Sequence, residues 1–380
     1  MSEAARHAVA ADTVFDGASV HPAGAVVIEG SAIVAIVPLR DLPAGMRVHR
    51  VPDGAWLAPG FIDVQVNGGG DVLFNDAPTP DTINTMVRAH RRFGTTALLP
   101  TLISDTPDKM RAARAAVEAT MATNPSVLGI HFEGPFLSLE KSGAHDPRMI
   151  RVPDDSDSNF LTKPQNGVVL VTLAPETVPA GLIAVLKRSG VRVSLGHSMA
   201  TYAQTKAAMA QGLTGFTHLF NAMRPLTSRE PGPIAAALES EAASFGMIVD
   251  GAHVDAAMLR LALRGRARPM LITDAMPPAA GGRATFTLAG HTITARGDAC
   301  VRPDGTLAGT ALTMAAAVRN AVGLLEMPLA AALQAASRTP AAFLGLTDRL
   351  GRLAPGYRAD LVAFDPADIK VYATWVAGTP

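Results

Sequence analysis

The sequence predicts an α/β chain: a (β/α)8 TIM-type barrel with a small β-sandwich domain formed by both chain termini. Three observations carry this. Eight short, apolar, strand-like runs alternate with Ala-rich helical stretches through the middle of the chain, as repeated β/α units do. Both ends lack helical periodicity and read as strands separated by turns. The chain has 380 residues, whereas a single core stops growing near about 250–300 residues, so one large domain plus a smaller one is expected. An open doubly wound sheet would also alternate strands and helices; the count of eight runs favours the barrel.

In chain order, residues 1–57 hold the strand-like pieces "TVFDG", "AVVIEGSAIVAIVP" and "MRVHRV". The eight runs follow: "FIDVQV", "TTALLPTLI", "VLGIHFEG", "GVVLVTLAPE", "VRVSLGH", "GFTHLFN", "FGMIVDG" and "PMLITDA". Between them a helix is expected over Pro107–Met121, with Thr106 as N-cap and Asp108 in the first turn. Another is expected over about Val254–Leu263, ended by Gly265. Thr285–Gly305 reads as a hairpin inserted after the eighth strand. The C-terminal pieces "ADLVAFDP" and "IKVYATWVAG" alternate again, after the turn "RLAPGY". The expected division is 1–57 plus 346–380 for the small β domain and 58–345 for the barrel, with a β-hairpin insertion near 283–306. No repeat or low-complexity tract interrupts it.

Composition narrows the function. The chain is 48% hydrophobic and 17% charged, an ordinary globular balance, and its formal net charge is zero. That gives no global support to nucleic-acid binding, although a local basic pocket is compatible with it. The single cysteine, Cys300, cannot form an intrachain disulfide, which fits a reducing cytoplasm. The opening "MSEAARHAVA" has no apolar signal region, and no apolar run is long enough to cross a bilayer. A cytoplasmic protein without a membrane partner is expected.

In a (β/α)8 enzyme the chemistry sits at the C-terminal ends of the strands. The conspicuous polar residues collect there: Glu133 in "HFEGP", His197 in "LGHS", His218 in "THLFN", Asp274 in "ITDAM", and Asp250 and His253 after "GMIV". Each has a structural reading, as a hydrogen-bonded histidine, a turn residue or a helix cap. Together, at separate strand ends, they would be costly to bury unless something paired them. One carboxylate and two imidazoles match a three-ligand catalytic metal site with an open position for water.

At these residues the sequence resembles the N-acetylglucosamine-6-phosphate deacetylases, a family of the amidohydrolase superfamily. The resemblance covers nearly the whole chain, through "PGFIDVQVNG", "LPTLIS", "GIHFEGPFL", "KSGAHDP", "VTLAPE", "SLGHS", "THLFNAM", "SREPG", "DGAHVD", "ITDAM", "GTLAGTALTM" and "GRLAPGYRADLVAF". It implies hydrolysis of N-acetylglucosamine 6-phosphate to glucosamine 6-phosphate and acetate. By the same resemblance Glu133, His197 and His218 are metal ligands, Asp274 is the catalytic aspartate, and His145, beside Ala144, contacts the scissile amide. Asn221, Ala222, Arg229, Asp250 and His253 correspond to phosphate- and sugar-binding positions, and the backbone around Leu307, Ala308 and Gly309 to a loop against the substrate. In the family it resembles that arginine reaches across a dimer interface, so the resemblance implies a homodimer in which Arg229 reaches the neighbouring active site.

Many amidohydrolases carry His-x-His at the end of the first strand and hold a second metal there. This chain has Gln65-x-Asn67, two neutral amides that are weak ligands for zinc-like ions. The run "VVLVTLAPE" also has no lysine for a carboxylated bridge. Both departures point to one divalent metal ion per subunit: zinc, or iron, cobalt or manganese. Gln65 then reads as a substrate-side hydrogen bonder to water at the metal or its neighbours. Asn67 reads as shaping the turn at Gly68–Gly70.

The expected chemistry is metal-assisted hydrolysis. Asp274 takes a proton from water and returns it to the departing amine, with His145 helping to stabilise the oxyanion. Alternatives are another deacylase or cyclic amidase on the same barrel, a metal-free glycosidase using Glu133 and Asp274, and a non-catalytic binding protein.

Overall fold

The eight apolar runs become eight parallel strands of one sheet in the computed structural model, which describes residues 6–380. In order they are β1 (Phe61–Val66), β2 (Thr95–Ile103), β3 (Gly129–Glu133), β4 (Val168–Leu173), β5 (Arg192–Leu195), β6 (Gly215–Phe216), β7 (Ser244–Met247) and β8 (Arg268–Leu271). Each pairs in parallel with its sequence neighbours from β1 through to β8. No ladder joins β8 back to β1. That gap is spanned just beyond the strands, where Val66 bridges Ala275 and the Asn67 and Gly68 N–H groups donate to the Ala275 carbonyl at 2.9 and 2.8 Å.

Local signals place the helices. Thr106 Oγ1 accepts the Lys109 N–H and caps the helix Pro107–Met121. The helix expected from Val254 starts later, as Ala256–Ala262, because Asp255 accepts the Ala257 N–H and is the N-cap. The largest apolar cluster fills the space between strands and helices, with Phe132, Leu173, Leu195, Phe216, Phe245 and Leu271 in it. A second packs Val64, Leu99, Leu170 and Ile272 against Phe343 and Leu344 of the helix Arg338–Leu344.

Both chain ends meet in a seven-stranded sheet. Its order is Val371–Trp375, Leu361–Phe364, Trp56–Pro59, His7–Phe15, Val20–Glu29 and Ala32–Pro38, with Arg47–Arg50 also on His7–Phe15. The strand His7–Phe15 forks: His7–Ala10 pairs with Arg47–Arg50, and Thr13–Val14 with Trp56–Leu57. Pairing joins all the strands of this small β domain in one forked sheet. The strand Trp56–Pro59 also carries this sheet past residue 57.

The insertion is larger than a hairpin. Thr285–Leu288, His291–Arg296, Ala299–Val301 and Leu307–Thr310 form a four-stranded antiparallel sheet. Its last strand docks on the segment after β8: the Thr310 N–H donates to the Asp274 carbonyl at 3.0 Å, and the Met276 N–H to the Thr310 carbonyl at 2.8 Å. Gly309 has φ +68°, and a Cβ there would lie 2.8 Å from the Asp274 carbonyl oxygen, so this docking requires glycine.

Among the described residues no helix is long and apolar enough to cross a membrane. Residues 1–5, the front of the stretch where no signal region was expected, lie outside the described residues.

Candidate active site

Glu133 ends β3, His197 and His218 lie two residues beyond β5 and β6, and Asp274 three beyond β8. His197, His218 and Asp274 have φ of +49°, +32° and +49°. Non-glycine residues rarely hold this left-handed region, which costs of order 1–3 kcal/mol. Here it turns each chain sharply at the barrel mouth.

Glu133 Oε1 lies 2.9 Å from His218 Nε2 and 3.3 Å from His197 Nε2, and the two Nε2 atoms are 3.1 Å apart. All three side chains are buried. His197 Nδ1 sits 2.7 Å from the Lys141 carbonyl, which only accepts, so the neutral ring carries its proton there and turns a lone pair inward at Nε2. Burial would raise the Glu133 pKa, but its hydrogen bonds to His197 and His218 override this and hold it well below the ordinary carboxylate range. His218 is lowered by burial and raised more strongly by Glu133. The donor set thus fits a divalent cation: one anionic oxygen and two imidazole nitrogens converge at separations close to the roughly 3.4 Å edge of a tetrahedron with arms of about 2.1 Å. Among the described residues this is the one group of three His, Cys, Asp or Glu donors so gathered.

Gln65 and Asn67 converge on Asp274. Gln65 Nε2 donates to Asp274 Oδ1 and to Glu133 Oε1, each at 3.1 Å, and Asn67 Nδ2 donates to the same Asp274 oxygen at 2.7 Å. Gln65 therefore places a neutral donor between two carboxylates. Burial, and then the charge of Glu133, raise the Asp274 pKa. A carboxyl so poised can take up a proton and give it back.

His145 is fixed from behind. Its Nδ1 accepts the Ser104 N–H at 3.2 Å and lies 2.8 Å from Ser104 Oγ. Burial, then the neighbouring His197, push its pKa down to about 3. The ring is neutral at ordinary pH, with its proton on Nε2 as a fixed donor.

A pocket of about 350 Å³ opens over these groups. Glu133, Ala144, His145, His197, His218, Asn221, Ala222, His253, Asp274, Leu307 and Gly309 line it. Four residues expected on the substrate side do not line it. Gln65 is buried beneath the pocket on the two carboxylates. The Asp250 side chain has no exposure; its Oδ2 lies 2.6 Å from His253 Nδ1, so it orients His253, and it caps the turn through the Ala252 and His253 N–H groups. Ala308 is buried in an apolar cluster with Met276, Ile293 and Cys300. Arg229 is exposed and does not line the pocket of its own chain.

Sequence reasoning passed over two groups. Glu176 accepts Ser198 Oγ at 2.7 Å and the Met199 N–H, and so braces the turn after His197; the only signal was its place at the end of the "VTLAPE" run. Inside the barrel His131, Thr172, Thr217 and Ser194 form a row, with contacts of 2.8, 2.7 and 2.7 Å. Polar residues inside apolar runs were its one trace.

A model of the amidohydrolase family matches residues 56–380. An N-acetylgalactosamine-6-phosphate deacetylase of Shewanella sp. (strain ANA-3) is 44% identical over 333 residues, covering 87% of this chain and 84% of that one. An N-acetylglucosamine-6-phosphate deacetylase of Haemophilus influenzae is 35% identical over 359 residues, 93% of each chain. Among solved structures, the N-acetylglucosamine-6-phosphate deacetylase from Pasteurella multocida superposes with a TM-score of 0.94 at 34% identity, covering 98% of this chain and 99% of that one.

Proposed function

This chain belongs to the amidohydrolase family, and we propose that within it the chain hydrolyses the acetamide of N-acetyl-D-glucosamine 6-phosphate to D-glucosamine 6-phosphate and acetate. The observation that carries this is the Asp274 carboxylate, held through one oxygen by two amides beside three converging donors, in a pocket that also presents the neutral His145.

A divalent cation held by Glu133, His197 and His218, zinc first among zinc, iron, cobalt and manganese, would polarise the amide carbonyl and acidify the attacking water. The remaining steps belong to side chains. Asp274 takes the proton of the attacking water as the C–O bond forms. It then passes that proton to the amide nitrogen, so that the C–N bond breaks with a neutral amine leaving. The His145 Nε2–H donates to the oxygen on which charge develops; a donor of this kind is typically worth about 2.7–4 kcal/mol. Asn221, Ala222 and His253, on the pocket wall, are assigned to the phosphate and sugar, remote from the reacting amide. Binding there holds the amide in line for attack.

Arg229 is assigned to the phosphate of the neighbouring subunit's substrate in a homodimer. Its support is its exposure, its guanidinium chemistry and its absence from the pocket of its own chain. The setting is the reducing cytoplasm, which the single buried thiol of Cys300 fits.

A second reading is the C4 epimer, N-acetyl-D-galactosamine 6-phosphate. The Shewanella relative favours it, at 44% identity against 35% for the Haemophilus one. Acetate release from the two phosphorylated sugars, measured side by side on metal-replete enzyme, decides between them. No acetate from either overturns the deacetylase reading.

A further inference from the structure

The barrel has one junction without a ladder, between β1 and β8, and Asp274 stands directly above it. Within that junction lies Asp63, with no solvent exposure. Its Oδ1 accepts the N–H of Gln65 at 3.2 Å and of Thr273 at 3.3 Å, and its Oδ2 accepts the Thr273 hydroxyl at 2.5 Å. All three partners can donate to it, and burial pushes its pKa up to about 7. The β1 register against β2 slips between Asp63 and Val66, where the Asp63 side chain holds the Gln65 N–H. Such a slip re-aims a side chain at the end of a strand.

Both residues gripped by Asp63 lead to the reacting groups. Gln65 is the amide that spans Asp274 and Glu133. Thr273 precedes Asp274, whose N–H returns to the Gln65 carbonyl at 3.0 Å. On its other side Thr273 is tied through its carbonyl to Thr310 Oγ1 at 2.6 Å. Branched apolar side chains commonly fill barrel interiors without the desolvation cost of a buried carboxylate. The place and partners of Asp63 therefore ask for a role beyond packing.

The structure assigns Asp63 as a positioning residue: by gripping Gln65 and Thr273 together it fixes the Gln65 amide against the Asp274 carboxylate, and so sets the direction in which Asp274 meets substrate. This rests on the deacetylase reading for what Asp274 does.

The test uses full-length, metal-replete enzyme and the variants Asp63→Asn, Thr273→Val, Thr273→Ser and the double variant Asp63→Asn/Thr273→Val. Asp63→Asn and Thr273→Val each lower kcat about 10–100-fold, the range for residues that orient a reacting group through another, while KM stays within about two-fold and metal content is unchanged. Thr273→Ser, which keeps the hydroxyl, recovers most of the Thr273→Val loss. The double variant is no slower than the worse single one, because both act through one linkage. Unchanged kcat in the single variants, losses that multiply in the double, or a fall in kcat matched by a loss of metal overturns the assignment. Should Asp63→Asn not fold, the two Thr273 variants decide by the same criteria. Wild-type enzyme that releases no acetate refutes the deacetylase reading instead. The assignment is then judged by a crystal structure of Thr273→Val: it stands if the contact between Gln65 Nε2 and Asp274 Oδ1 has opened beyond hydrogen-bond range and falls if that contact is unmoved.

Discussion

Asn67 Nδ2 lies 2.7 Å from Asp274 Oδ1, closer than the 3.1 Å of Gln65 Nε2 to the same oxygen. The amide at the end of the glycine-rich turn is thus the nearer anchor of the carboxylate. A hydrogen bond to a charged group contributes about 1.5–3 kcal/mol. Asn67→Ala is therefore expected to lower kcat about 10–100-fold with metal content unchanged. Asn67→Asp is expected to be worse, since it sets a second carboxylate against Asp274 where a donor stood. Steady-state kinetics with elemental analysis measure both; wild-type kcat in Asn67→Ala would remove the anchor from the mechanism.

Asp274 itself should dominate turnover. Asp274→Asn is expected to lose about 10²–10⁴-fold in kcat, the range for a positioned acid–base group, with the metal retained. Burial and the charge of Glu133 raise the Asp274 pKa, and the working form is the carboxylate. Activity should thus be full above that raised pKa and fall away as pH drops through it, with a midpoint above that of an ordinary aspartate. His145 adds no limb in that window, because it stays neutral down to about pH 3. A profile of kcat/KM against pH reads the limb; its persistence in the residual activity of Asp274→Asn would assign it to another group.

How much of this was legible in the sequence depends on where each partner lies. Glu133, His197, His218 and Asp274 could be read because each is a polar residue at the end of an apolar run, and strand ends share one face of a barrel. Asn67 reads as turn chemistry because it precedes three glycines, and only the fold brings Asp274 to it. Glu176 carried little signal because its partners Ser198 and Met199 belong to the next strand's loop. Asp250 reads in the sequence as a substrate contact, yet its carboxylate turns back to His253 three residues on, a choice of rotamer that spacing does not encode. The forked terminal sheet was hidden for a related reason: alternation marks strands but does not name their partners.

Removal of the metal separates the hydrolase from a two-carboxylate glycosidase. Chelation is expected to abolish acetate release and lower Tm, since an ion that binds only the folded state stabilises it. Adding back zinc, iron, cobalt or manganese should restore activity to different degrees. Acetate release that persists after the metal is shown to be gone would refute the metal-assisted mechanism, whereas glycosidic-bond cleavage with no acetate released would favour the glycosidase.

Arg229 offers a test of how the pocket is completed. The residue is exposed and absent from the pocket wall of its own chain, whereas Asn221, Ala222 and His253 are on that wall. If a partner subunit supplies the guanidinium, Arg229→Ala raises KM for the phosphorylated sugar strongly and leaves KM for the unphosphorylated sugar unchanged. A sharper consequence follows from two-fold symmetry. Mixed with Asp274→Asn, Arg229→Ala forms hybrid dimers in which one site has an intact Asp274 from its own chain and an intact Arg229 from the other. Dissociating and reassociating equal amounts of the two variants should then restore about a quarter of the wild-type sites, by random pairing. A contribution within one chain gives no such recovery, because every site then lacks one of the two groups.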